Sequence, residues 1–207
     1  MARSRAPKFK QSRRFGMDIF GTGGAALARR LDVPPGAHSG QRQGPQRRRQ
    51  TEYSRQLFEK QKVKAIYGML ERQFSRYVDE AEQSKSTSPA GTILLTLLER
   101  RLDNVIYRLG YARSRPMARQ IVGHGHVMVD GRRVDIPSFR VRAGMKVTLA
   151  NVALKMPVVI EELASGRMVP HWLRRTGDSG EVVDSPERAD IEMPIDERLV
   201  LAFYSRR

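Results

Sequence analysis

The apolar positions of this chain change their period several times. Residues 1–50 carry no sustained repeat, because Gly21, Gly23, Gly24, Pro34, Pro35, Gly36, Gly40, Gly44 and Pro45 interrupt it. That punctuation predicts an irregular arm, anchored by Phe9, Phe15, Ile19, Phe20 and Leu27. From Thr51 to about Glu82 the pattern turns helical: Tyr53, Leu57, Ile66, Met69, Leu70, Phe74 and Tyr77 recur at three-to-four spacing. Ser84–Gly91 reads as a linker. Beyond it Leu94, Leu98, Leu102, Val105, Ile106 and Leu109 make one strong apolar stripe, closed by Gly110 as a helix stop. Arg101 and Arg108 fall along the edge of that stripe, where a long cationic side chain reaches water or a phosphate.

A shorter helix follows, with Ser114 as N-cap, Pro116 in the first turn and Gly123 at the end. Ala118, Ile121 and Val122 give it a buried side, flanked by Arg115 and Arg119 with Arg113 just ahead. A helix N-terminus among three arginines is a ready anion site. The period then drops to two. His126–Val129 alternates, Asp130-Gly131 is a hairpin turn, and Arg132–Ile136 returns. Phe139 and Val141 alternate with Arg140 and Arg142, and Met145–Leu149 is a further strand. The elements predict an α+β fold: a basic arm (1–50), a helical domain (51–91), a small module of two helices and a short, mostly antiparallel sheet (92–156), and a C-terminal segment (157–207).

Charge adds a partner class to this outline. The 207 residues hold 38 Lys+Arg against 22 Asp+Glu, a formal net charge of +16, with a pI near 10.9. Such a surface gains by displacing counterions from phosphates. No apolar run approaches the roughly 20 residues of a membrane-spanning helix, so nucleic acid is the expected polyanion. Thirty of the cations are Arg and eight are Lys, and Arg forks onto phosphate and stacks on bases. The balance is +10 over residues 1–50, +8 over 51–150 and −2 over 151–207. The RNA-facing surface therefore belongs to the first three-quarters of the chain.

The stretch Leu98-Glu99-Arg100-Arg101-Leu102-Asp103-Asn104-Val105-Ile106-Tyr107-Arg108-Leu109-Gly110, followed by Ser114-Arg115, Ala118-Arg119-Gln120-Ile121-Val122 and His124-Gly125-His126 ahead of Val129-Asp130-Gly131, resembles the family of bacterial small-subunit ribosomal protein four. Gln56-Leu57, Glu59–Lys62 and Tyr67–Phe74 resemble its helical domain, Pro35-Gly36 with His38 its arm, and Glu197, Leu199 and Phe203-Tyr204-Ser205 its C-terminal end. Ser39 after His38 and Ser54-Arg55 after Tyr53 depart from the usual pattern. With no Cys in the chain, the resemblance is to the zinc-free form. It implies a C-terminal segment packed back on the helical domain. It also implies a primary binder of 16S rRNA in the cytoplasmic 30S subunit, which grips a multi-helix junction, nucleates assembly and contributes to decoding accuracy. The implied partners are small-subunit proteins five and three and mRNA where it enters the ribosome. Carried over, the RNA-contacting residues are Arg13, Arg14, His38, Arg47, Arg48, Arg49, Lys60, Lys62, Arg72, Arg101, Arg108, Arg113, Arg115, Arg119, His124 and Arg132.

Catalytic and metal readings are weaker. His124 and His126 lack the further ligands a metal site needs, and Gly21-x-Gly23-Gly24 lacks the Gly-Lys-Ser/Thr of a phosphate loop. Asp103 suits an arginine partner better than an acid catalyst, and Trp172 suits a local packing anchor. An RNA-modifying enzyme or a ribosome-associated factor with the same module is the competing class. Only 57 residues follow position 150, without a catalytic signature, so neither catalytic residues nor a cofactor are expected.

Overall fold

The computed structural model describes residues 6–21, 23–36, 51–191 and 193–205. They form two compact units, residues 1–83 with 194–207 and residues 84–193.

The first unit is helical. α1 (Lys8–Phe15) and α2 (Gly24–Ala28) give the arm more order than its Gly and Pro content predicts. Between them the Asp18 carboxylate accepts the N–H groups of Phe20, Gly21 and Gly23 at 2.9–3.2 Å. The glycine-rich stretch thus holds an internal anion in its nest of N–H donors. α3 (Glu52–Ile66) starts at Thr51, whose hydroxyl accepts the Ser54 N–H. The helical pattern of 51–82 then breaks between Tyr67 and Leu70, and α4 (Glu71–Glu82) follows. The edge of the Phe15 ring meets Phe58 of α3, with centroids 5.1 Å apart. The last helix of the chain, Glu197–Tyr204, returns to this unit and packs on α3 and α4. Val63, Ile66, Phe74, Tyr77, Val78, Val200 and Tyr204 are buried there.

The second unit holds helices α5 (Ala90–Glu99), α6 (Leu102–Arg108), α7 (Arg115–Gly123), α8 (Asn151–Leu154) and α9 (Pro157–Ala164), which makes the C-terminal helix α10. Its strands are β1 (Val127–Val129), β2 (Arg132–Arg133), β3 (Lys146–Leu149), β4 (Leu173–Thr176) and β5 (Ser179–Val182), in the antiparallel order β2-β1-β3-β5-β4. The Asp130-Gly131 turn is as predicted. Both residues have positive φ, 49° and 76°, as a two-residue hairpin turn requires, and glycine takes the second at no steric cost. Val127, Val129, Val147, Leu149 and Val182 present the buried face, against Leu102, Val105, Ile106 and Leu109 of α6 and its extension and Ala118, Ile121 and Val122 of α7.

Three expectations are corrected. The apolar stripe of 92–109 is two helices, broken at Arg100-Arg101. There Leu102 N–H donates to Phe139 O at 2.8 Å and Val141 N–H to Arg100 O at 2.9 Å, so a bridge to the 139–141 loop competes with helical bonding. The stretches 134–136 and 139–142 are not strands of the sheet, beyond one isolated bridge between Arg101 and Arg140. Finally, the divisions fall at 83/84 and 193/194, not at 91/92 and 156/157. β3 would have an open edge if the module ended at 156, and β5 covers it through Val147 opposite Gly180. Trp172, fully buried in the same core, belongs with the sheet rather than with a tail.

Trp172→Ala is expected to destabilise the second unit by about 3–5 kcal/mol. Native-state amide exchange is the check: protection should fall in β1 and β3 while α3 and α4 keep theirs.

Candidate RNA-binding surface

The arginines of the second unit divide into two populations. One is internal. Arg101, 0% exposed, donates from Nε and Nη2 to the two Asp103 oxygens at 3.0 and 2.7 Å. Arg119 reaches Asp103 Oδ2 at 3.2 Å from the next helix. Buried Glu99, at the end of α5, accepts from Arg108 Nε at 2.9 Å and Nη2 at 3.0 Å, and from Asn104 Nδ2 at 2.7 Å. Arg115 Nε donates to Asn104 Oδ1 at 2.7 Å, and its guanidinium lies 4.5 Å from the Tyr107 ring centroid, which also carries Arg167 at 4.9 Å. Ser114 stands at the N-cap of α7 without a side-chain capping bond. The expected anion site at that helix start is therefore not framed by free arginines. Arg115 and Arg119 are turned onto the carboxylate and amide groups of α5 and α6.

The other population faces outward. Arg113, His124, Arg132, Arg133 and Arg142 are exposed, and among the described residues none of the four arginines is within ion-pair distance of a carboxylate. Arg133, absent from the predicted set, donates to His124 O at 3.3 Å. A Cβ at Gly125 would overlap its guanidinium, so glycine there lets the side chain cross the backbone. The alternation of Arg with apolar residues around Phe139 and Val141 was the available signal for Arg142. His124 and His126 have ring centroids 5.9 Å apart, and the described residues contain no group of three or more potential metal ligands around them or elsewhere.

In the helical unit the same division recurs. Lys60 is buried, with Nζ 3.0 Å from Glu71 and 4.2 Å from the Phe203 ring centroid. Lys62 is buried on Glu59 at 2.8 Å. Arg13 is tied to the carbonyls of Val33 and Pro34 at 2.9 and 3.1 Å. Arg14 and Arg72 are exposed. Of the sixteen predicted contacts, His38, Arg47, Arg48 and Arg49 lie outside the described residues.

The chain's similarity to known proteins follows the same division into an N-terminal and a central part. Residues 3–99 match the family model "Ribosomal protein S4/S9 N-terminal domain", and residues 100–147 match "S4 domain". The small ribosomal subunit protein uS4 of Natranaerobius thermophilus is 43% identical over 211 aligned residues, covering all of both chains. The chain belongs to the uS4 family. The uS4 proteins of Desulfitobacterium hafniense and Chloroflexus aurantiacus are 45% and 44% identical, again over the full length of both chains. The uS4 family is structural and non-enzymatic, which sets aside the RNA-modifying alternative. The uS4 N-terminal match runs through α5, yet α5 lies in the second compact unit, because its Glu99 supplies the counter-charge for α6.

Two outcomes are expected from these pairings. Asp103→Ala leaves Arg101 buried without its carboxylate and should cost about 3–5 kcal/mol, read as a lower urea midpoint. Glu71 governs an acid transition. Burial raises its carboxyl, but hydrogen bonds from Lys64, Tyr204 and Lys60 and the Lys64 charge outweigh that and bring it down to about 2. A carboxyl lowered on folding stabilises above its unfolded value and loses that contribution as pH falls through the folded one. Stability of the helical unit should thus fall between pH 4.5 and about pH 2, and Glu71→Gln should flatten that dependence in acid titrations of α3 and α4 helicity.

Proposed function

We propose that this uS4-family chain is a structural constituent of the bacterial small ribosomal subunit, cytoplasmic as part of the ribosome, and binds 16S rRNA as a primary binder. It grips a multi-helix junction, nucleates 30S assembly and contributes to translational accuracy beside small-subunit proteins five and three, near the path of incoming mRNA. The observation that carries the rRNA-binding reading is the split among the arginines. Those on the facing sides of α5, α6 and α7 are neutralised internally and brace the fold. Arg113, Arg132, Arg133 and Arg142 remain unneutralised at the surface, and an exposed set of like charges favours a polyanion.

The proposed RNA contacts are accordingly Arg14, Arg72, Arg113, His124 and Arg132, joined by Arg133. Arg101, Lys60, Lys62, Arg108, Arg115 and Arg119 support the surface from within. His38 and Arg47–Arg49 stay in the proposal on the family resemblance alone.

Binding of the full chain to 16S rRNA, measured across salt concentrations, tests the reading. A steep negative slope of log affinity against log salt is expected, and Arg113→Gln with Arg132→Gln should lower its magnitude by roughly 0.7–0.9 for each phosphate contact removed. A slope near zero for the unaltered chain would overturn the reading.

A further inference from the structure

Three arginines of the second unit converge on one backbone link. Val141 N–H donates to Arg100 O at 2.9 Å, and Arg100 Nε donates back to Val141 O at 2.9 Å. Main chain and side chain of Arg100 are therefore tied to the same buried residue. With Nε engaged, its two Nη groups are the donors left for a ligand. Arg140 and Arg142 stand on either side of Val141, half-buried and exposed respectively. Burial first, then the charges of Arg142 and Arg140, lower the Arg100 guanidinium from its ordinary value, which is the response of a cation crowded by its own kind.

The nearby acids do not relieve that crowding. Glu99 is occupied by Arg108 and Asn104, and Asp103 by Arg101 and Arg119. Among the described residues neither Arg100 nor Arg142 has a carboxylate within ion-pair distance. A fold that gathers like charges and anchors one by a backbone bond has built the cationic half of an ion pair. Its natural complement is a doubly accepting oxyanion, to which guanidinium forks are matched in geometry.

We propose that Arg100, Arg140 and Arg142 form a seat for one backbone phosphate of folded RNA, a contact outside the residues that the family resemblance marks. The proposal rests on the chain being an rRNA binder. The bridge between Arg101 and Arg140 holds the seat to the start of α6. The phosphate is thereby registered against the ion-paired helices rather than against a loose loop.

The test uses the full chain, with Arg142→Gln alone and Arg100→Gln/Arg142→Gln together. The Arg142 side chain is exposed and makes no hydrogen bond or ion pair, so the single variant keeps the fold, as matched thermal unfolding will verify. At fixed salt the double variant should bind 16S rRNA roughly tenfold more weakly, as loss of a charge-assisted contact implies. Its salt slope should shrink by about 0.7–0.9. In phosphate-ethylation interference, one RNA phosphate that matters to the unaltered chain should cease to matter to both variants. Unchanged affinity, slope and interference pattern, with tight binding by the unaltered chain, would overturn the seat alone. If inorganic phosphate shifts the Arg142 amide resonance while rRNA binding is the same in all three proteins, the site takes a free ion and the RNA seat is wrong. Failure of the unaltered chain to bind rRNA would instead overturn the underlying reading.

Discussion

Everything in the second unit is arranged around charge that has been taken out of water. Arg101 and Asp103, with side chains 1% and 7% exposed, and Glu99, at 1%, lie between helices α5, α6 and α7. Ions so placed are tolerated only when each remaining donor and acceptor is satisfied. Asn104 does that by accepting from Arg115 and donating to Glu99. The requirement explains the break between α5 and α6, where a continuous helix would point Glu99, Arg101 and Asp103 in successive directions. Turning the chain at Arg100-Arg101 lets the three converge, and the lost helical bonds are made instead to Phe139 and Val141.

That internal neutrality shapes the surface. The carboxylates closest to the basic loops are already occupied, so they cannot screen Arg100, Arg113, Arg132, Arg133 or Arg142. The positive field toward solvent is larger than the local composition suggests. Buried arginines and exposed arginines thus do opposite work: the first fix the helices at which the second are presented. The sheet completes the frame, since β5 closes the edge of β3 and places Trp172 and Val182 in the core beside α6.

The helical unit solves a related problem with lysines. Lys60 and Lys64 of α3 meet Glu71 at the start of α4, and the Tyr204 hydroxyl donates to the same carboxylate at 2.7 Å from the end of the chain. One half-buried acid therefore holds together segments 133 residues apart in sequence. In the arm, Asp18 plays a comparable part for the glycine-rich turn, which leaves that turn's N–H groups no vacancy for a nucleotide.

By itself the sequence determined the α+β class, the helix over Arg115–Gly123, the Asp130-Gly131 hairpin, the helix over Glu52–Ile66 and the basic character of the surface. These are local properties: a period, a turn dipeptide or a net charge is read from neighbours along the chain. The uS4 resemblance was also legible, because motif order and spacing are linear. Tertiary structure alone decided which arginines are ligands for RNA and which are ligands for Glu99 and Asp103. Arg101 and Arg113 look alike in sequence, and only the packing of α5 on α6 removes the first from water and leaves the second in it. The same holds for β4, β5 and Trp172, whose place is set by an open strand edge far back in the chain. A hydrogen-bonding edge selects its partner by geometry in space, and that choice leaves no local trace in the residues that make it.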